Sequence, residues 1–492
     1  MRTDANAVDR FRLAVISAPV YSSHSVRYQN NANGEAMTAL GNCADGPSAA
    51  SARPLKICLL GYRSHPYCGG QGVYLHYLSK ALVEAGHSVD VISGQPYPHL
   101  DPRVRLIEMP GLNLFEVENP TRALRWRHLL SWTDFFEWWG KLSGGFVEPY
   151  TFGRRAAKYL RRHGRHYDIV HDNQSLCYGL LDIERSGLPV VATVHHPITR
   201  DRQLALDAAP DWRYRLLVRR WHSFLKMQVR VARKLRHIVT VSRQSERDIV
   251  EQFGVQPRQI QLIYNGIDTE VFKPQPRIER RPLRLMTTAS ADQPLKGLRF
   301  LLYALAELRE CHPELELLVV GRLQQGGATE QLLHELRLQD AVQFVSGISN
   351  RQLAEYYASA CAVVCPSLYE GFGLPAGEAM ACGVPVVSSD GGALPEVVGD
   401  AGIVVPVGDS KALAQALREL LADDALRASL GRKGRARMEQ QFSWRLAAVH
   451  LVDYYRRILG EKEGEKKEGG PQIRPLPQPG APPVDASGAE AA

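Results

Sequence analysis

One glycine-rich segment of the chain has the residue types of an anion-binding loop. It spans residues 366–385 and reads PSLYEGFGLPAGEAMACGVP. An apolar strand pattern ends just before it at Cys365, and Pro375 suits the first turn of a helix. Backbone N–H groups at Gly373 and Leu374 would then lie at a helix N-terminus, where the helix dipole favours a negative charge. The segment therefore predicts a site for a phosphate group.

Two carboxylates stand in the same segment, and both can reach one ligand. Glu370 precedes the glycines of the loop, whereas Glu378 falls in the early turns of the helix. Carboxylate oxygens accept hydrogen bonds, so the pair suits the hydroxyl groups of a sugar or a ribose. The alternative is an ordinary turn followed by a charged helix start, since two glutamates among 52 acidic residues carry little weight alone.

A second glycine-rich loop occurs further toward the N-terminus. Gly69, Gly70 and Gly72 separate a buried strand pattern at residues 56–60 from an amphipathic pattern at residues 73–85. Glycine lets a backbone approach a phosphate or another ligand closely. A single glycine loop is weak evidence, so a plain tight turn is the alternative.

The elements that position these loops are short apolar runs that alternate with helical patterns. This alternation predicts an α/β protein with parallel sheets, and it restarts at residue 283. We therefore expect two Rossmann-like domains that face each other across a ligand-binding cleft, at residues 54–275 and 276–440. A C-terminal helix at 441–460 is expected to return toward the first domain.

The two ends of the chain lack a regular apolar pattern. Residues 1–53 close on a run of small residues, and residues 461–492 are charged and then rich in proline. Neither segment offers enough apolar surface to offset the entropy lost on ordering. A disordered leader and a disordered tail are therefore predicted.

The composition excludes several classes of protein. The chain has 492 residues, of which 45% are hydrophobic and 23% charged, so it can form large cores. No stretch approaches 18 uncharged apolar residues, which argues against a membrane-spanning helix. The eight cysteines form no C-x-x-C pair, as expected of a reduced cytoplasmic protein without a disulfide or metal framework. The net charge of +8 indicates an anionic partner.

Taken together, these motifs resemble the glycosyltransferases of family 4, which have the GT-B fold. The spacing from Glu370 to Glu378 matches the E-x7-E motif of that family. The resemblance covers residues 56–458 and includes YNGID at 264–268, PLKG at 294–297, VVG at 319–321, GGALPE at 391–396 and FSW at 442–444. It implies transfer of a sugar from a nucleotide-sugar donor, with retention at the anomeric carbon. It also implies that no cofactor and no metal are needed, and the chain has no Asp-x-Asp signature.

The resemblance implies roles for individual residues. Glu370 would face the donor sugar, Glu378 would hold the ribose hydroxyls, and Lys296 would stabilise the diphosphate. A fixed cation and preorganised N–H donors stabilise the charge that develops on a leaving diphosphate. The alternative for Lys296 is a solvated lysine at a helix start. The backbone groups expected to contact sugar and phosphate belong to Gly371, Phe372, Gly373 and Leu374.

A histidine is the remaining catalytic candidate. The sequence TVHHP at 193–197 ends a strand pattern, and family members often have a histidine here, near the reacting sugar. By resemblance this residue is His195. His196 is the competitor, because a shift of one residue turns a side chain to the opposite face of a strand. A structural role for the pair is the third reading. The family's equivalent of the loop at 69–72 lines the cleft near the donor phosphates.

The chain departs from the family at Ser290, the position expected to hold the donor diphosphate together with Lys296. Many relatives have an arginine there, and a serine cannot supply a charge-assisted fork. Either another cation substitutes, for which Arg200 and Arg202 are candidates, or phosphate affinity is lower. Because of this departure, a second hypothesis stays open: the chain is a catalytically weak protein that binds sugar nucleotides or serves as a scaffold. A GT-B phosphorylase or sugar synthase is a further alternative.

The acceptor is unknown, and the first domain contains unusual aromatic and basic stretches. Basic residues interleave with apolar ones at 213–236, a pattern that suits a helix lying on an anionic membrane. The alternative is a core-packed helix with a solvated basic face. No nucleic-acid-binding module is recognisable. We therefore expect a cytoplasmic enzyme, with peripheral association at the inner membrane face as an open hypothesis. Four tryptophans precede the basic stretch, at Trp126, Trp132, Trp138 and Trp139.

Overall fold

The computed structural model describes residues 53–65, 70–114, 125–207, 209, 211–289 and 293–460. The predicted disordered leader and tail therefore lie outside the described residues, apart from Arg53. The same holds for Gly69 in the first glycine loop and for Ser290. Within the described part of the chain, no helix is long and apolar enough to cross a membrane.

The first half of the chain forms a parallel sheet of seven strands in the order β3-β2-β1-β4-β5-β6-β7. Its strands are β1 (Lys56–Gly61), β2 (Ser88–Ser93), β3 (Arg105–Glu108), β4 (Ile169–Asn173), β5 (Val190–Val194), β6 (His237–Thr240) and β7 (Ile260–Leu262). The helices are α1 (Gly70–Glu84), α2 (Trp126–Leu129), α3 (Trp132–Leu142), α4 (Glu148–His163), α5 (Tyr178–Arg185), α6 (Thr199–Asp207), α7 (Trp212–Trp221), α8 (Leu225–Ala232) and α9 (Arg243–Asp248).

The second half forms a parallel sheet of six strands in the order β10-β9-β8-β11-β12-β13. Its strands are β8 (Arg281–Thr288), β9 (Glu316–Val320), β10 (Val342–Val345), β11 (Ala360–Cys365), β12 (Val386–Ser389) and β13 (Ile403–Val405). The helices are α10 (Leu298–Arg309), α11 (Ala328–Glu335), α12 (Asn350–Ser359), α13 (Leu374–Ala381), α14 (Leu394–Val398), α15 (Ser410–Ala422), α16 (Asp424–Gln441) and α17 (Trp444–Ile458). The predicted fold class, α/β with two Rossmann-like sheets, is confirmed.

Each sheet is covered by helices on both faces, which explains why its central strands read as unbroken apolar runs. In β5, Val190, Ala192 and Val194 belong to one core, and Val191 belongs to the core on the opposite face. The edge strands β3 and β7 were not predicted. Both are short and only partly buried, so their sequences lack the apolar run by which the central strands were recognised.

The last helix, α17, follows the second sheet but packs against the first. Trp444 at its start stacks on Tyr77 of α1, with ring centroids 5.7 Å apart. Further along, the buried hydroxyl of Tyr455 hydrogen-bonds Nδ1 of His171 in β4. The other ring nitrogen of that histidine lies 2.6 Å from Oγ1 of Thr193. The helix therefore completes the core of the first domain and satisfies a buried histidine there.

Tyr455→Phe should destabilise the protein. It leaves one buried ring nitrogen of His171 without its partner, which typically costs about 1–3 kcal/mol. Urea unfolding followed by circular dichroism should show a lower midpoint. Tyr454→Phe is the matched control, because that half-buried tyrosine makes only a long hydrogen bond of 3.3 Å to His237. Equal midpoints for the two variants would contradict the assignment.

Candidate active site between the two sheets

The segment after β11 has the local structure that its sequence predicts. β11 ends at Cys365, the loop follows, and Gly373 adopts a left-handed conformation, with φ of 96°, just before α13 begins. A Cβ atom at this glycine would also lie 2.8 Å from Leu394. Glycine is therefore required both for the backbone turn and for space. The N–H groups at the start of α13 are consequently presented at the carboxyl edge of the second sheet, as an anion site requires.

The carboxylate of Glu370 is held by two neighbours. Lys296 Nζ lies 2.7 Å from its Oε1 atom, and the hydroxyl of Ser367 donates to the same oxygen at 2.8 Å. Burial opposes the charge on Lys296, but the adjacent carboxylate outweighs burial and raises the pKa of that lysine. Lys296 therefore stays protonated, and its ammonium has donors left for a further acceptor.

The backbone of Glu370 is fixed by the Gly391–Gly392 turn of the GGALPE segment. The N–H group of Ala393 donates to the carbonyl oxygen of Glu370 at 2.9 Å. Gly392 has φ of 68°, and a Cβ atom there would lie 2.8 Å from the nitrogen of Glu370. Sequence analysis noted this segment without assigning it a role. The signal was the pair of adjacent glycines, which allows close backbone approach.

The carboxylate of Glu378 is held by a buried tyrosine. The hydroxyl of Tyr357 on α12 donates to its Oε2 atom at 3.0 Å. Burial raises the pKa of Glu378 to about 7, and this hydrogen bond only partly offsets the effect. Sequence analysis missed Tyr357, because a buried tyrosine on a helix is indistinguishable from an ordinary core residue in a single sequence.

His195 follows β5 and is fixed by residues at the end of β4. Its Nε2 atom lies 2.8 Å from Oδ1 of Asn173, and its backbone N–H donates to the side chain of Gln174 at 2.8 Å. The amide nitrogen of Asn173 donates to the carbonyl oxygen of Gln71 at 2.9 Å, so its oxygen must face the histidine. Nε2 therefore carries the proton, and Nδ1 is left as an acceptor.

The electrostatic environment keeps His195 neutral. Burial, and secondarily the neighbouring His196, lowers the pKa of His195 to about 3. The ring of Tyr74 packs edge-on against it, with centroids 4.7 Å apart. His195 can consequently offer a hydrogen-bond acceptor at neutral pH, but it does not offer a positive charge.

The two consecutive histidines have different surroundings, as the alternation along an extended chain requires. His196 Nε2 lies 3.5 Å from Asp201 on α6, and its ring is 6.1 Å from that of Tyr369 in the second domain. This histidine contributes to the contact between domains, whereas His195 lies among the buried side chains at the end of β4.

Hydrogen bonds bring the Glu370 loop against the first domain. The hydroxyls of Ser242 and Ser245 donate to the carbonyl oxygen of Gly371 at 2.8 and 3.3 Å. Ser245 also donates to the carbonyl oxygen of His195 at 2.6 Å. The carboxylate of Glu396 accepts from two N–H groups at the start of α9, each at 2.8 Å. The predicted residues of the two domains are thus brought together at one cleft.

The remaining predicted loop residues are two glycines of the first loop and two residues of the segment at 366–385. Gly70 begins α1 with open space around it, whereas a Cβ atom at Gly72 would lie 2.8 Å from the backbone of Ser64. The side chain of Phe372 is buried and packs on Phe442, with centroids 5.9 Å apart, so only its backbone is available to a ligand. Leu374 is the first residue of α13.

The two arginines considered as substitutes at the diphosphate have other surroundings. The guanidinium of Arg200 lies over the ring of Tyr369, 5.5 Å from its centroid. Nε of Arg202 is buried and has no hydrogen-bond partner among the described residues. Ser290 itself lies outside those residues. Within them, no group of three or more histidine, cysteine, aspartate or glutamate side chains could hold a metal ion.

Family models match both halves of the chain. Residues 68–271 match the model described as Glycosyltransferase Family 4, and residues 270–437 match that of Glycosyl transferases group 1. The chain belongs to the family 4 glycosyltransferases. The E-x7-E loop, the GGALPE turn and the end of β5 lie within the matched ranges, so the structural site and the family assignment coincide.

Two curated relatives extend the assignment. The transferase is 47% identical over 410 residues to the MMP α-(1→4)-mannosyltransferase of Mycolicibacterium hassiacum. The aligned region covers 82% of this chain and 98% of that protein. It is 28% identical over 412 residues to the D-inositol 3-phosphate glycosyltransferase of Kribbella flavida, covering 79% of this chain and 90% of that protein.

Among solved structures, sucrose-phosphate synthase from Thermosynechococcus elongatus superposes with a TM-score of 0.62 at 25% identity. The match covers 83% of this chain and all of that chain. The predicted GT-B fold is confirmed. So is the predicted general function, the transfer of a sugar from a nucleotide-sugar donor to an acceptor.

Lys296→Ala should lower turnover strongly, because the cleft loses its fixed cation beside Glu370. Removal of one electrostatic donor at a developing charge typically costs about 10²–10³ in kcat. Steady-state kinetics and calorimetric titration of the nucleoside diphosphate measure turnover and binding separately. Arg299→Ala is the control, because that arginine lies three residues after Lys296, is exposed and packs over the ring of Phe300. Ser290→Ala should be mild. Parent-like binding and turnover in Lys296→Ala would place the phosphate elsewhere.

Proposed function

We propose that the transferase moves a mannosyl group from a nucleotide-mannose donor and forms an α-(1→4) linkage with retention. The observation that carries this proposal is the 47% identity to a protein named MMP α-(1→4)-mannosyltransferase, over 98% of its length. That coverage includes both sheets and the cleft, so the similarity is not confined to the nucleotide half. The proposed enzyme is a hexosyltransferase that uses no cofactor and no metal.

The side chains of the cleft have separate proposed roles. Glu378 binds the ribose hydroxyls, and Tyr357 positions its carboxylate. Lys296 and the N–H groups at the start of α13 stabilise the leaving diphosphate as the glycosidic bond breaks. Glu370 faces the donor sugar, and Nδ1 of His195 accepts a hydrogen bond from a sugar hydroxyl. An α-linked donor then gives an α-linked product only if configuration at the anomeric carbon is retained.

The test is product analysis with purified full-length protein. Nucleoside diphosphate mannoses and glucoses with different bases are incubated with methyl α-mannoside, and the product linkage and anomeric configuration are read by NMR. We expect an α-(1→4)-linked dimannoside from one mannose donor, and loss of product in Lys296→Ala. A β-linked product or exclusive use of glucose would refute the proposal. Nucleotide binding without transfer or hydrolysis would favour the alternative of a scaffold, and phosphate-dependent cleavage would favour a phosphorylase.

We further propose that the transferase is cytoplasmic and binds the surface of an anionic membrane. Helices α2, α3 and α7 carry large apolar side chains toward solvent, with Trp126 77% exposed and Trp212 69% exposed. The C-terminal ends of α3 and α7 adjoin, since Arg220 of α7 donates to Ser143, the residue that follows α3, at 2.7 Å. We call this surface the aromatic face. Its exposed residues are Trp126, Leu129, Leu130, Trp132, Trp139, Leu142, Trp212 and Leu216.

Charge supports an anionic lipid surface as the partner of the aromatic face. Arg213, Arg215 and Arg219 are exposed on α7 beside Trp212 and Leu216. Exposed tryptophan with flanking arginine suits the boundary between lipid headgroups and acyl chains. The following helix, α8, instead buries most of its apolar side chains in the core. The alternative of a core-packed basic helix therefore describes α8 but not α7.

The cysteines bear on the proposed compartment. Six described cysteines are free thiols, in keeping with a reducing compartment.

The protein should sediment with vesicles that contain anionic phospholipid and less with neutral vesicles. Added salt should weaken binding, since exposed charges are screened over about 8–10 Å near physiological ionic strength. Replacing Trp132, Trp139 and Trp212 together by alanine should reduce the bound fraction at least tenfold. Tyr303→Ala removes an exposed aromatic residue from α10 and is the control. Equal sedimentation with both kinds of vesicle, or of both variants, would refute the membrane proposal.

A further inference from the structure

Two residues in the turn after β4 adopt a backbone conformation that side chains disfavour. Gln174 has φ of 55° and Leu176 has φ of 46°, although neither is a glycine. Such a conformation persists only where the surrounding structure holds it, and it is common at functional sites. The β4 turn, as we call residues 172–177, lies beside the end of β5, because Asn173 pairs with Thr193 in the sheet. The strained turn is therefore placed next to the residues that follow β5.

Buried hydrogen bonds hold the β4 turn in this conformation. The carboxylate of Asp172 accepts from the backbone N–H groups of Ser175 and Leu176 at 2.8 and 3.0 Å, and it also accepts from the hydroxyl of Ser175. The side chain of Gln228 on α8 donates to the carbonyl oxygen of Gln174 at 3.2 Å. Both Asp172 and Gln228 are buried. The conformation of the β4 turn, and with it the direction of its side chains, is therefore fixed from β4 and from α8.

The side-chain amide of Gln174 binds the backbone of the two consecutive histidines. Its oxygen accepts from the N–H group of His195 at 2.8 Å, and its nitrogen donates to the carbonyl oxygen of His196 at 2.7 Å. Because both ends of the amide are used, its orientation is fixed. β5 ends at Val194, so these bonds hold the next two residues in a defined path beyond the strand.

Asn173 fixes the ring of His195, just as Gln174 fixes its backbone. The Oδ1 atom of Asn173 lies 2.8 Å from Nε2 of the histidine, and its amide nitrogen donates to the carbonyl oxygen of Gln71 on α1. The amide cannot turn over without losing that second bond, so Nε2 must carry the proton. No described residue is hydrogen-bonded to Nδ1, which stays available as an acceptor.

The backbone held by Gln174 lies against the Glu370 loop of the second domain. A Cβ atom at Gly371 would lie 3.2 Å from the carbonyl oxygen of His195. The histidine is itself partly exposed, so it is not sealed within the core. In a reacting site, a misplacement of about 1 Å can cost about a hundredfold in rate. The contacts that place His195 therefore matter for turnover as well as for folding.

We propose that Asn173 and Gln174 are positioning residues for sugar transfer, and that together they present the unprotonated Nδ1 of a neutral His195 to the donor sugar. The proposal rests on the function and on the role of His195 proposed above. Asn173 acts through the tautomer of the ring, and Gln174 acts through the path of the backbone. A purely structural role would make both residues matter for stability alone. A positioning role also affects the tautomer of His195 and the pH dependence of turnover.

The surroundings of His195 keep its ring neutral. The titratable groups around the ring are His171 on β4, Tyr74 on α1 and the adjacent His196. Burial lowers the pKa of His195 and of His171 to about 3. Burial also raises the pKa of Tyr74 to about 12. At neutral pH these three side chains are therefore uncharged, and the kcat of the parent should not fall as the pH decreases moderately on account of His195.

A charge placed beside His195 should reveal its tautomer. In Asn173→Asp, a carboxylate at Nε2 favours the imidazolium and raises the pKa of His195. Protonation then occupies Nδ1 and removes the acceptor. The kcat of this variant should consequently fall as the pH decreases toward the raised pKa, whereas the parent should show no such fall. The measurement is the pH profile of kcat for the two proteins.

Further variants are tested as purified full-length protein with whichever nucleotide sugar the parent transfers or hydrolyses. Asn173→Ala and Gln174→Gly should each lower kcat at least tenfold, whereas the dissociation constant of the nucleoside diphosphate should change less than about twofold. Glycine adopts φ of 55° without strain, so a role confined to the turn predicts a parent-like kcat for Gln174→Gly. NMR of nitrogen-15-labelled histidine, with the signal assigned from His195→Gln, should show one tautomer in the parent and a mixture in Asn173→Ala.

Gln259→Ala is the matched control, because its amide also joins two backbone groups but lies at the opposite edge of the first sheet. Gln259 accepts from the N–H group of Gln256 at 2.9 Å and donates to the carbonyl oxygen of Leu235, just before β7 and β6 begin. The control should leave kcat and the histidine signal unchanged. If Gln174→Gly does not fold, the pH profile of Asn173→Asp tests the proposal, since aspartate has the shape of asparagine.

Three results would overturn the proposal: an unchanged single tautomer in Asn173→Ala, a parent-like kcat in Gln174→Gly, or a pH profile of Asn173→Asp as flat as that of the parent. A parent-like kcat in His195→Gln would refute the role of the histidine itself. Failure of the mannosyltransferase function is recognised separately, because product analysis would then show a different sugar or linkage while these variants still differ from the parent in their turnover of that donor.

Discussion

The carbonyl oxygen of Gly371 holds the two halves of the active site together. It accepts hydrogen bonds from Ser242 and Ser245 of the first domain, and it belongs to the residue next to Glu370. Ser245 also binds the backbone of His195. One peptide group and two hydroxyls thus set the distance between a catalytic candidate from each domain. Together with the hydrogen bonds from the start of α9 to Glu396, they hold the cleft in its present geometry.

The charges of the cleft explain why its helix N-terminus matters. Lys296 is the cation nearest Glu370, and the two side chains largely neutralise each other. His195 is neutral because it is buried, and burial favours the protonated form of Glu378 as well. Oriented backbone N–H groups at the start of α13 would then add to the attraction of Lys296 for a diphosphate. Such dipoles attract anions without adding a charged side chain that would itself need solvation.

The sequence was most informative where a local rule of backbone conformation applies. The turn at Gly373 and the helix that follows were predictable, because glycine, proline and an apolar strand occur in a fixed order. Long-range partners were not predictable. Tyr357 and Glu396 reach their targets only after folding, and neither has a local pattern that separates it from other tyrosines or glutamates. The choice between His195 and His196 also required the strand's surroundings, since periodicity alone permits either.

The chain passes between the domains twice, and the two crossings lie side by side. The N–H group of Ile267 on the first crossing donates to the carbonyl oxygen of Phe442 on the second at 2.6 Å. A Cβ atom at Gly266 would lie 2.5 Å from the ring of Trp444, so glycine is needed for this close approach. Paired crossings at one side of the interface are suited to act as a hinge, because twisting or sliding of one against the other would break the hydrogen bond that joins them. A rotation about this hinge would separate Gly371 from Ser242 and leave the paired crossings intact.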